Sequence, residues 1–103
     1  MLNAKQIKAI EKADYSISEY DDTYYISRYS NLGEDFGFEV NKENALEEII
    51  SYCEDFDYEE HASMWIECRG QRGVPNSIVD LIDDAKDIYD NLQHLKECLE
   101  GVE

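Results

Sequence analysis

Ile7, Ile10 and Ala13 share one side of a helical wheel and Asn3 stands ahead of them as a cap, so the pattern predicts a short helix over about Ala4 to Ala13. The period then drops to two. Tyr15, Ile17 and Glu19 alternate with Ser16, Ser18 and Tyr20, which is a strand pattern, and Asp21-Asp22 punctuates it. Thr23 to Tyr29 is rich in β-branched and aromatic types, so it predicts a second strand hairpinned to the first. Asn31 to Gly33 supply the next turn. In Asp35 to Val40, Phe36, Phe38 and Val40 point one way and Asp35, Gly37 and Glu39 the other, giving a third strand with one wet face.

Beyond the strands the period becomes 3.6. Leu46, Ile49, Ile50 and Cys53 fall at i, i+3, i+4 and i+7, so Lys42 to about Asp55 predicts an amphipathic helix capped by Asn41. Asp57 followed by Glu60 fits a capping box for a short helix carrying His61, Met64, Trp65 and Ile66 and ending at Gly70. Arg69 to Pro75 holds two glycines and a proline and reads as a connector, with Arg69 and Arg72 tying it to nearby acids or to the preceding helix end. Asn76 or Ser77 caps the last element. There Ile78, Leu81, Ala85, Ile88, Leu92, Leu95, Leu99 and Val102 recur at alternating steps of three and four, a seam of about 24 residues and roughly 36 Å. Two arrangements satisfy such a seam: a long helix packed across its own sheet and shorter helices, or a homodimeric coiled coil. The fold these elements predict is a single α+β domain over residues 1–103. It has a short N-terminal helix, a three-stranded antiparallel meander, and two or three helices on one sheet face, the last one long.

Charge changes the picture most. The chain has 25 Asp and Glu against 9 Lys and Arg, a formal −16 on 103 residues. Lys5, Lys8 and Lys12 against the single Glu11 make the opening residues net basic, so the acidity falls wholly on the chain from Ala13 onward. Strong charge with low hydropathy is also the signature of disorder. Leu, Ile, Val and Phe stand just above the roughly 20% level where disorder becomes the default, and their clear periods favour a folded domain. Such a domain is strained by self-repulsion, and its field suits basic partners rather than nucleic acid itself. No apolar run is long enough to span a membrane and no secretion signal opens the chain, so a cytoplasmic protein without membrane attachment is expected.

Candidate chemistry narrows by elimination. Cys53, Cys68 and Cys98 are odd in number and form no C-x-x-C pair, which favours reduced thiols over a disulfide framework or zinc site. Asp55, Asp57 and Glu59 have the spacing of a calcium loop, but Glu60 replaces the required glycine and Ile66 the closing glutamate, so no metal ligand is assigned. His61 and His94 fit packing or capping better than a nucleophilic triad. No catalytic residue or cofactor is assigned, and a non-enzymatic protein is expected.

The remaining signal is a pair of acid stripes. One comprises Glu43, Glu47, Glu48, Glu54 and Asp55 and continues through Asp57, Glu59 and Glu60; the other comprises Asp80, Asp83, Asp84, Asp87 and Asp90 on the outer face of the last helix. At 1.5 Å of rise per residue the second stripe carries about one charge per 3 Å, near the roughly 3.4 Å phosphate spacing of one DNA strand. It reads either as a mimic of a phosphate backbone or as a solvated face that keeps the protein soluble. Tyr24, Tyr25, Tyr29 and Trp65 are the candidate aromatic anchors for a protein contact, packing beneath the helices being the other reading of the tyrosines.

The run from Tyr29-Ser30 through Gly33-Glu34-Asp35-Phe36 and Phe38 is followed by Phe56-Asp57, His61, Met64-Trp65-Ile66-Glu67, Arg69-Gly70, Gly73-Val74-Pro75, Ser77-Ile78 and Leu81-Ile82-Asp83-Asp84-Ala85. This succession resembles a small acidic family encoded on phages and mobile elements of Gram-positive bacteria. The resemblance spans roughly Tyr29 to Leu99 and implies the neighbourhood of anti-CRISPR and anti-restriction inhibitors. With the charge, it leads to the expectation of an inhibitor of a host defence nuclease, a type II RNA-guided nuclease before a restriction enzyme, acting by acidic mimicry in the bacterial host cell. The alternative is a non-enzymatic interaction or regulatory module of a mobile element, monomeric or dimeric through the C-terminal helix.

Overall fold

Asn3 opens the first helix, α1 (Ala4–Lys12), through a reciprocal cap: its side chain accepts from Gln6 N–H at 2.9 Å and the Gln6 side chain accepts from Asn3 N–H at 2.9 Å. The structure, a computed structural model, describes residues 1–71 and 73–102; Arg72 of the predicted connector lies outside the described residues. After α1 the chain reverses at Asp14, whose φ of 69° is left-handed, a conformation that short polar side chains tolerate. Three strands follow, β1 (Ser16–Glu19), β2 (Thr23–Tyr29) and β3 (Asp35–Asn41), in an antiparallel meander of order β1-β2-β3.

Register sorts the strand side chains into two faces. Ile17 pairs with Ile26, Ile26 with Phe38, and Tyr24 with Val40, so Tyr24, Ile26, Phe36, Phe38 and Val40 all turn inward and are buried. Tyr25, Ser27, Gly37 and Glu39 take the opposite face, as the period of two requires. The helices cover the inward face, and the fold is α+β with the last helix long, as the sequence predicts.

The second helix begins later than expected. Lys42–Asn44 form a 3₁₀ turn and α2 runs Ala45–Asp55, while the Asn41 side chain makes no capping bond. Asn41 is still part of the sheet, paired with Thr23, and Lys42 N–H donates to Asp22 C=O at 2.9 Å, which holds the chain to the strands for one residue more. Asp57 caps α3 (Tyr58–Glu67), accepting from Glu59 and Glu60 N–H at 3.0 and 3.3 Å; the return bond from Glu60 that would complete a capping box is not formed. Arg69 Nη1 donates to Ile66 C=O at 3.0 Å, placing its charge at the C-terminal end of α3.

Ser77 caps α4 (Ile78–Glu100), whose 23 residues span about 35 Å of a molecule 42 Å long. The helix lies against α1, α2 and α3. Leu81, Ala85, Ile88, Leu92, Leu95 and Leu99 are buried there, all but Leu81 and Ala85 in the same core as Ile10, Ile26, Phe38 and Ile49. The seam is therefore consumed within the chain. Of the two arrangements the seam allows, the structure shows the one in which the long helix packs against its own core. Ile78, first residue of the predicted seam, is 45% exposed, and its neighbour Val79 is 66% exposed.

Candidate interaction surface

Most of the predicted acid stripes are on the surface. Glu43, Glu47, Glu54, Asp55, Asp57, Glu59 and Glu60 are exposed along α2, the loop after it and α3, and Asp80, Asp83 and Asp90 are exposed on α4. Glu48 is half-buried and accepts from Asn41 N–H at 3.3 Å; Asp87 is half-buried beside Asn91. Among the described residues, two carboxylates pair with a lysine: Glu19 with Lys42 and Glu54 with Lys96, both at 3.4 Å. Lys86, the one cation inside the second stripe, sits instead over the Tyr58 ring at 5.8 Å. The stripe thus keeps nearly its whole charge, with the like-charge repulsion that i, i+3 and i+4 neighbours exert.

Asp84 departs from the stripe. It is 3% exposed, so it does not belong to the outer face of α4. Its position explains this: residue 84 follows Leu81 by three and precedes Ile88 by four, which puts it on the apolar side of the helix. Its Oδ1 accepts from Leu32 N–H at 3.0 Å and pins the β2–β3 turn to α4. Oδ2 is buried without any hydrogen-bond partner, at a cost of about 1–3 kcal/mol for such a group.

The aromatic anchors divide likewise. Tyr24 is 1% exposed, with Lys42 Nζ 5.5 Å from its ring centre; as a wall of the core it is not available to a partner, which corrects its assignment as an anchor. It occupies the inward phase of β2, and Tyr25, one residue on, occupies the outward phase and lies over Gly37. Tyr29 is 69% exposed. Trp65 is half-buried with its Nε1–H inside and unpartnered. Sequence reasoning passed over Leu32, 39% exposed at the tip of the β2–β3 turn, and Val79, 66% exposed on the first turn of α4; their signal was an apolar residue out of phase with its neighbours.

The groups able to do covalent chemistry are dispersed. His61 Nε2 meets Glu34 Oε2 at 3.0 Å, and its ring packs edge-on against Phe36 at 5.7 Å, inside an aromatic cluster with Phe56, Tyr52 and Phe38. His94 Nε2 lies 3.7 Å from Cys98 Sγ in the C-terminal part of α4. Burial pushes the Cys53 thiol up to about 12 and raises the phenols of Tyr15 and Tyr52. Among the described residues no three His, Cys, Asp or Glu side chains converge to hold a metal ion, and no helix is long and apolar enough to cross a membrane.

No family model, curated protein or solved structure matches the chain.

Proposed function

We propose that the protein inhibits a host defence nuclease, a type II RNA-guided enzyme in preference to a restriction enzyme, by occupying its basic nucleic-acid channel. The observation that supports this reading is the acid of α2, α3 and α4, most of it exposed and, apart from Glu54 with Lys96, without a lysine partner among the described residues. Carboxylates held on helices replace phosphates against Lys and Arg without a cost for ordering the backbone, and the field of a −16 molecule speeds encounter. Val79, next to Asp80 in sequence, and Leu32, bonded through its amide to Asp84, supply apolar contact area beside those charges. The resemblance to small acidic mobile-element proteins points the same way. The protein acts on another protein in the bacterial cytoplasm and binds no nucleic acid directly.

The test is DNA cleavage by purified nucleases with the protein added across a salt series. Inhibition should fall steeply with salt, as phosphate binding does. The variant carrying Asp80→Lys, Asp83→Lys, Asp87→Lys and Asp90→Lys should lose it. Inhibition that survives both changes would sink the mimicry.

A second reading is favoured by the open sheet face carrying Tyr25 and Tyr29 beside Ser27 and Thr23. In it the protein is a non-inhibitory interaction module whose contact is polar and aromatic. Binding to a partner that is lost on Tyr29→Ala and unmoved by the charge reversals would select this reading.

A further inference from the structure

Of the two buried side-chain oxygens without a partner among the described residues, Tyr15 Oη and Asp84 Oδ2, the second belongs to a carboxylate beside an opening in the surface. Asp84 is 97% buried by its 3% exposure; Oδ1 holds the Leu32 amide, while Oδ2 is sealed from water with no partner. Asp84 lines an open depression of about 160 Å³ with Asn31, Leu32, Asp80 and Asp83. The exposed Asp80 and Asp83 make its rim and the buried Asp84 its floor. At roughly 30 Å³ per liquid water, the depression has room for about five waters, well beyond a bare ion.

The geometry points to this depression as a receptor for the guanidinium group of an arginine presented by the target protein. This rests on the reading of the protein as a partner of basic proteins. Three properties select that ligand. The site is anionic on floor and rim, so its occupant is a cation. The carboxylates do not converge as a metal site must, with oxygens at about 2.0–2.6 Å from one centre, whereas a guanidinium spreads five N–H donors over a rigid plane and bridges separated acceptors. Leu32, 39% exposed on the lip, offers apolar surface to the methylene stem that carries the head. The arginine donates to the rim carboxylates Asp80 and Asp83 and reaches Asp84 Oδ2 as the β2–β3 turn beside it yields, giving that sealed oxygen a charge-assisted bond.

The experiment has a small-probe arm and a partner arm. In the first, N-acetyl-arginine amide is titrated into the labelled protein while amide resonances are followed. The Leu32 amide, bonded to the receiving carboxylate, should shift saturably, and Asp84→Asn should abolish the shift while leaving the other amides dispersed. N-acetyl-lysine amide and magnesium chloride serve as controls. An equal response to either overturns guanidinium selectivity, and no response to the arginine probe overturns the pocket. If Asp84→Asn fails to fold, the paired Asp80→Asn and Asp83→Asn variant replaces it, with weakened probe binding expected.

In the partner arm, nuclease inhibition by Asp84→Asn should be roughly thirtyfold weaker, the loss typical of removing one partner of a buried charge pair. Undiminished inhibition by that variant, alongside loss on reversal of the exposed stripe, overturns the pocket as a docking point and upholds the mimicry. Probe binding by a protein that inhibits no nuclease supports the pocket and overturns the mimicry.

Discussion

On the open face of the sheet, the Tyr25 ring fills the space where residue 37 would carry a methyl group, and Gly37 is the residue that admits it. A Cβ at 37 would collide with Tyr25 Oη, the far end of a side chain free to swing outward. Gly37→Ala should therefore cost about 1 kcal/mol, by loss of this packing, and cost less in a Tyr25→Ala background, where Ser27 Cβ at 3.0 Å is the close contact that remains. A double-mutant cycle by urea denaturation measures the coupling; additive effects would refute the contact. Titration gives a second prediction at this scale. Cys53 moves from an ordinary 9.0 to about 12 on folding because burial disfavours the thiolate, so above pH 9 the unfolded chain releases a proton the native state keeps. Stability is unaffected below pH 9 and falls as pH rises from there toward 12, with a slope near 1.4 kcal/mol per unit for this group; Tyr15 and Tyr52, raised by burial, act in the same sense. Denaturation midpoints measured from pH 7 to 11 test it. Exposed Cys68 should alkylate in the native protein while Cys53 stays protected.

At the scale of elements, local chemistry was legible and phase was not always. Asn3, Asp57 and Ser77 start their helices because a cap is decided within three residues of itself. The alternation of Phe36, Phe38 and Val40 gave β3 its inward face for the same reason. Asn41 failed as a cap because a long-range bond, Lys42 N–H to Asp22 C=O, kept that residue in the sheet, and nothing local announces such a tie. Asp84 and Tyr24 were misplaced differently: reading residues by type grouped them with exposed Asp83 and half-buried Tyr25, although their positions put them on the buried side. The acid stripes were legible as composition, but the pocket at Asp84 needed the β2–β3 turn folded onto α4, a contact 52 residues apart in sequence. The seam of α4 yields a third prediction. Leu92→Ala, at a position with no exposure in the core shared by several helices, should destabilise by about 2–5 kcal/mol, while Val79→Ser should change stability by no more than about 0.5 kcal/mol. Equal effects would mean that the seam is not the core.

For the whole molecule, net charge acts across every contact. A formal −16 on a body 42 × 27 × 20 Å makes distant carboxylates repel one another when the screening length is large. That length falls from about 30 Å at 0.01 M salt to about 8 Å at 0.15 M. The melting temperature should therefore rise with sodium chloride over this range, as scanning calorimetry will show, while inhibition of a target nuclease declines over the same range. Opposite trends in one buffer series separate repulsion within the protein from attraction to its partner. A fall in melting temperature would instead indicate that the few ion pairs outweigh the repulsion.

The docking of α1 onto α4 also bears on biosynthesis. Ile10, near the start, shares a core with Leu95 and Leu99, so the inner layer stays open on a ribosome until the last turns of α4 have cleared the exit tunnel. Until then the nascent chain exposes the sheet face of Ile26, Phe36 and Phe38, with the high charge of the growing polypeptide to keep neighbouring copies apart. An acidic surface of this kind protects the chain during synthesis before it meets any partner.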